Sequence, residues 1–208
     1  VAALAAALLV AAPFAYAMVD LNHDGLSDVW QAAYPGAGAA SDDPDHDGFS
    51  SLTENNAGTD PFSVTSGPFT SLAPAGNGDF VFRWSTVTNK RYQPSASTDL
   101  KNWASLQSTV FGTGGELAVA VAATGPARFC HLNIFDVDTD ADLLTTWEES
   151  RLGTSSSTPD TDGDGLDDFW ETDHGTNPTL ADASADPDAD GFSNLREYTA
   201  GTDPLVRA

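Results

Sequence analysis

Residues 43–61, DPDHDGFSSLTENNAGTDP, align without a gap to residues 186–204, DPDADGFSNLREYTAGTDP, and 14 of the 19 positions are identical. Identity this high is not chance and marks an internal repeat. A related stretch precedes each copy, DLNHDGLSDVWQ from Asp20 and DTDGDGLDDFWE from Asp160, so each flank of the chain is a tandem pair of acidic loops. The second of these packs Asp160, Asp162, Asp164, Asp167, Asp168 and Glu171 into a dozen residues. Like charges this dense oppose a compact state unless a cation absorbs them.

The spacing names the cation. Calcium takes six to eight oxygens, and a short loop supplies them from side chains at positions 1, 3, 5, 9 and 12 and the carbonyl at 7, with glycine at 6 for the sharp turn. The loop from Asp160 fits throughout, with Asp160, Asp162, Asp164, the Leu166 carbonyl, Asp168 and Glu171. Asp43, Asp45, Asp47, the Phe49 carbonyl and Glu54 repeat it with Ser51 at position 9, and Asp186, Asp188, Asp190, the Phe192 carbonyl and Glu197 repeat it with Asn194 there. The first loop offers Asp20, Asn22, Asp24, the Leu26 carbonyl and Asp28, but Gln31 stands where the bidentate glutamate belongs, so weaker binding is expected. A fifth loop, DTDADLLTTWEE, keeps Asp138, Asp140 and Asp142 but lacks the glycine; deleting one residue aligns Trp147 and Glu148 with Trp170 and Glu171, which makes Glu148 its expected ligand. Magnesium, which retains water and takes fewer protein oxygens, fits these loops less well.

DGDGLDDFWE followed by DPDADGFSNLREYTAGTDP resembles the thrombospondin type-3-like calcium repeats of secreted bacterial proteins, over about half the chain. The resemblance implies loops strung along the chain with little conventional core, folded largely by bound Ca2+. Gln31 and the missing glycine before Leu143 depart from the pattern. A dockerin would need a longer apolar helix after each loop, whereas LREYTAGTDP stops at Gly201 and Pro204.

The charge divides the chain. The formal net charge is −23, yet residues 62–135 hold Asp79, Asp99 and Glu116 against Arg83, Lys90, Arg91, Lys101 and Arg128. That middle stretch reads as strands: DFVFRWSTV, KRYQPSAS, ELAVAVAA and ARFCHLNIF are rich in β-branched and aromatic residues and separated by glycine, proline and asparagine clusters. The expected fold is therefore mostly β and irregular: a small antiparallel β-sandwich at 62–135, flanked by calcium-loop units with short helices at 18–61 and 136–208, and preceded by an apolar segment at 1–17.

That segment, VAALAAALLVAAPFAYA, has nine alanines and no charge. It resembles a signal-peptide core, with Ala15, Tyr16 and Ala17 as a small-residue cleavage pattern. Its other reading is an assembly segment, since an alanine-rich surface lets helices approach closely and about 25 Å of helix is marginal for a bilayer.

The strong negative charge argues against nucleic acid and anionic membranes as partners. Cys130, the one cysteine, excludes an intramolecular disulfide framework and leaves metal as the cross-link. There is no G-x-S-x-G elbow, and His23, His46, His131 and His174 form no metalloprotease pattern, so no enzyme activity is expected. The expectation is an extracellular or cell-surface, calcium-stabilised structural protein that assembles with copies of itself into a filament. The alternative is a secreted module whose sandwich binds glycan or matrix, with the repeats as a stiff spacer.

Overall fold

The computed structural model describes residues 19–76, 78–122 and 129–207; the apolar segment at 1–17 lies outside them. Five short helices, α1 (Asp28–Ala33), α2 (Ser51–Ala57), α3 (Thr146–Leu152), α4 (Asp168–His174) and α5 (Asn194–Ala200), flank seven strands along the chain, two before them and three after, among these residues. None of the helices is long and apolar enough to cross a membrane.

The strands form two antiparallel sheets. In one, β1 (Thr70–Pro74), β2 (Phe80–Ser85) and β6 (Glu116–Val121) lie side by side with β2 central. In the other, β3 (Arg91–Ser97) pairs along its whole length with β7 (Phe129–Phe135), and its opposite edge carries the two-residue strands β4 (Ala104–Ser105) and β5 (Val110–Phe111). The period-2 pattern explains the first sheet: Phe82 and Trp84 turn into the core while Arg83 between them is exposed and pairs with Glu116 at 2.8 Å. Both sheets feed one core, in which Phe82, Trp84 and Val121 meet Tyr92, Cys130, Leu132 and Ile134.

Pro94 sits inside β3 although proline is normally an edge residue. It falls in the gap between the β5 pairing at Arg91 and Tyr92 and the β4 pairing at Ser95 and Ala96, where the ladder on that side is interrupted.

The two acidic flanks are not separate. A second core joins them: Val19, Leu26, Val29, Trp30 and Ala37 from the first flank pack with Leu144 and Trp147 from the other. Trp30 Nε1 donates to the Thr59 carbonyl at 3.0 Å, so this buried ring is also hydrogen-bonded. Lys90 brings the β region to this joint; it is 3% exposed, ion-paired to Asp136 and stacked over the Trp147 ring at 5.6 Å.

Candidate metal centres

Each acidic loop folds by one local scheme. The backbone N–H at position 6 donates to the aspartate at position 1: Gly25 to Asp20, Gly48 to Asp43, Gly165 to Asp160 and Gly191 to Asp186, at 3.0 to 3.1 Å. The N–H at position 7 donates to the aspartate at position 5: Leu26 to Asp24, Phe49 to Asp47, Leu166 to Asp164 and Phe192 to Asp190. The turn needs left-handed backbone at position 6, where these glycines have φ from 87° to 97°. The helix then starts at position 9, behind a cap residue at position 8: Ser27, Ser50, Asp167 or Ser193. Gly58, Gly175 and Gly201 end three of the helices in left-handed backbone.

This fold gathers carboxylates. Ligand atoms of Asp43, Asp45 and Asp47, of Asp160, Asp162 and Asp164, and of Asp186, Asp188 and Asp190 lie within 4.8 Å of one another in each group. The helix delivers a further carboxylate to each: Glu54 and Glu171 are 0% exposed and Glu197 is 1% exposed. Among the described residues, Glu171 has no hydrogen-bond partner on either carboxylate oxygen, and Glu54 and Glu197 each leave Oε2 without one. Burial, followed by the charges of Asp47 and Asp45, pushes Glu54 up to about 7, and burial with Asp162 and Asp164 pushes Glu171 up to about 8. Burial and Asp188 raise Glu197 in the same direction. Several unpartnered acceptors converging in each loop, at a cost of about 1–3 kcal/mol per buried group, are what a hard cation satisfies.

A family model for the bacterial TSP3 repeat matches residues 43–63, 160–181 and 186–206. The chain carries bacterial TSP3 repeats. No curated protein and no solved structure matches it. The three matched TSP3 repeats are the three loops just described, with the helix and glycine cap that follow each.

The other two loops diverge in opposite ways. In the first, carboxamides do the work of a cation: Gln31 Nε2 donates to Asp24 Oδ2 at 2.9 Å, and Asn22 Nδ2 reaches Asp28 Oδ1 at 3.3 Å. The Leu26 N–H, then Gln31, hold the Asp24 carboxyl below its usual range. Asp28 accepts from Leu21 N at 2.6 Å, and its counterpart Asp168 accepts from Thr161 N and Oγ1, so position 9 braces the loop backbone in both.

In the fifth loop, Asp138, Asp140 and Asp142 come together as in the TSP3 repeats, but Glu148 does not join them. Its carboxylate accepts from Val19 N, Ser27 Oγ and the Thr145 N–H and hydroxyl. The carboxylate beside the triplet is that of Glu149, pushed up to about 8 by burial and by Asp140, Asp142 and Asp138. The one-residue deletion is therefore corrected: the loop is ungapped, Leu143 takes the glycine position with φ of 85°, and Glu149 stands at position 12. The signal was present downstream, since E-x-x-x-G-T recurs at Glu54, Glu149, Glu171 and Glu197.

Proposed function

We propose that the protein is an extracellular structural protein whose three matched TSP3 repeats bind calcium, and that it assembles with its own copies into a surface filament. The calcium reading is carried by the buried, unpartnered carboxylate oxygens at the aspartate triplets. All candidate ligands are oxygens, the set that hard cations take, and loops of extracellular modules bind calcium at about 10⁻⁴–10⁻³ M, a concentration available outside cells. The bacterial TSP3 repeat is a structural repeat rather than a catalytic one. The filament reading is supported by the composition of residues 1–17, which carry no charge and nine alanines, since apolar sequence favours an apolar partner. A contact between copies that does not close by rotation gives a fibre.

Calorimetric titration of calcium into chelator-stripped protein tests the first part, with saturable binding expected and silence contradicting it. Negative-stain microscopy of the full chain and of a chain lacking residues 1–17 tests the second. Fibres from the full chain alone support it; fibres from both, or from neither, refute it.

A further inference from the structure

We propose that Asp138, Asp140, Asp142 and Glu149 form a further site for a calcium-class divalent cation, outside the matched repeats, and that its ion clamps the first loop to the rest of the protein. The inference rests on the reading of the matched loops as calcium sites, and adds a residue set and a role that the family match leaves out, since that match begins again only at residue 160.

The aspartate triplet alone would be an acidic cluster. What makes it a site is Glu149, which is 0% exposed and, among the described residues, has no hydrogen-bond partner on either carboxylate oxygen. It stands at position 12 of the ungapped loop, the place that Glu54, Glu171 and Glu197 hold in the matched repeats, and like them it is buried with an unpartnered carboxylate oxygen. Both Asp140 oxygens and Asp142 Oδ2 are likewise buried without a partner. The loop backbone is already folded as in the matched repeats, with Leu143 N donating to Asp138 Oδ2 at 3.3 Å and Leu144 N to Asp142 Oδ1 at 2.8 Å. Leu143 holds the left-handed turn in place of glycine, and its side chain is 49% exposed, so it crowds nothing in the core.

The clamp follows from adjacency on α3. Consecutive helical residues point about 100° apart, and here Glu149 turns to the triplet while Glu148 turns to the first loop, accepting from Ser27 Oγ at 2.6 Å and Val19 N at 3.2 Å. An ion on Glu149 fixes the rotation of α3 and thereby the carboxylate that receives the first loop. That loop, closed by carboxamides, thus gains calcium dependence through its neighbour.

The test counts calcium ions on the full chain by native mass spectrometry and follows amide hydrogen exchange over residues 19–31. Glu149→Gln is expected to bind one ion fewer than the unmodified protein and to exchange faster over 19–31 in saturating calcium, whereas Glu148→Gln keeps the ion count. An unchanged count in Glu149→Gln overturns the site; a lost ion with unchanged exchange overturns the clamp. If Glu149→Gln does not fold, Leu143→Gly decides: relief of the left-handed turn should lower the calcium concentration at which residues 19–31 become protected, and no shift overturns the proposal. A chain that binds no calcium at all would instead refute the reading of the matched loops.

Discussion

Ser27 Oγ donates to Glu148 Oε1 at 2.6 Å, a buried hydrogen bond between residues 121 positions apart in sequence. The same hydroxyl accepts from Trp30 N as the cap of α1, so one side chain starts a helix and fastens it to α3. Ser27→Ala should lose a bond to a charged group and a helix cap, together about 2–4 kcal/mol. Ser193, the equivalent cap residue of α5, makes no side-chain cap bond, and Ser193→Ala should be close to neutral. Urea unfolding of the two variants in calcium checks the contrast.

Two glycine caps separate backbone strain from packing. Gly58 and Gly153 end α2 and α3 with φ of 73° and 85°. A Cβ at Gly153 meets nothing within 4 Å, while one at Gly58 would lie 2.6 Å from Trp147 Nε1. Gly153→Ala should cost about 1–2 kcal/mol, the penalty for an L-residue in left-handed backbone. Gly58→Ala should cost clearly more, because Trp147 belongs to the core that joins the flanks and cannot yield freely. Thermal unfolding of both variants measures the difference.

The loops were legible because ligand spacing, cap residues and the glycine at position 6 are local, and local chemistry repeats with the sequence. The strands were legible by alternation and turn residues. Glu149 is hidden from any reading that takes glycine as the mark of position 6; a leucine in left-handed backbone keeps the ungapped register that the downstream Gly153 and Thr154 indicate. The joint of Val19 and Ser27 with Glu148, and the burial of Lys90 between Asp136 and Trp147, lie between distant segments. No period in the sequence encodes them, and the charge boundary at 61 and 136 suggested separate flanks where the apolar faces of α1 and α3 meet.

The metal-free protein should lose stability as pH rises. Glu54 is held up to about 7, and Glu149 and Glu171 to about 8, against an ordinary value of 4.5, by burial first and then by the neighbouring aspartates. The folded state therefore keeps protons that the unfolded state has released. Their contribution is full below about pH 4.5 and disappears as pH passes through 7 to 8. Calcium reverses the trend, because it binds the deprotonated carboxylates. Urea midpoints from pH 5 to 8.5 should fall in chelator and hold or rise in calcium; parallel curves would contradict the convergence of these glutamates on metal positions.

Gln31→Glu should convert the first loop from one closed by hydrogen bonds to one closed by an ion. Gln31 Nε2 now donates to Asp24 Oδ2 at 2.9 Å, and Asp20 and Asp24 already hold the N–H groups of Gly25 and Leu26 as in the matched repeats. Glutamate has no proton to donate there at neutral pH, and it sets a second carboxylate against Asp24. Without calcium the variant should be less stable than the parent, by about the 1 kcal/mol of a lost hydrogen bond plus the new repulsion. In calcium the same carboxylate completes the position 12 ligand, so the variant should bind one additional ion and recover or exceed parental stability. The two effects have opposite signs in one protein. Melting temperatures in chelator and in calcium, with ion counts by native mass spectrometry, read both; an unchanged count with lower stability under both conditions would mean that Asn22 or Asp28, already engaged with each other at 3.3 Å, keeps the loop shut.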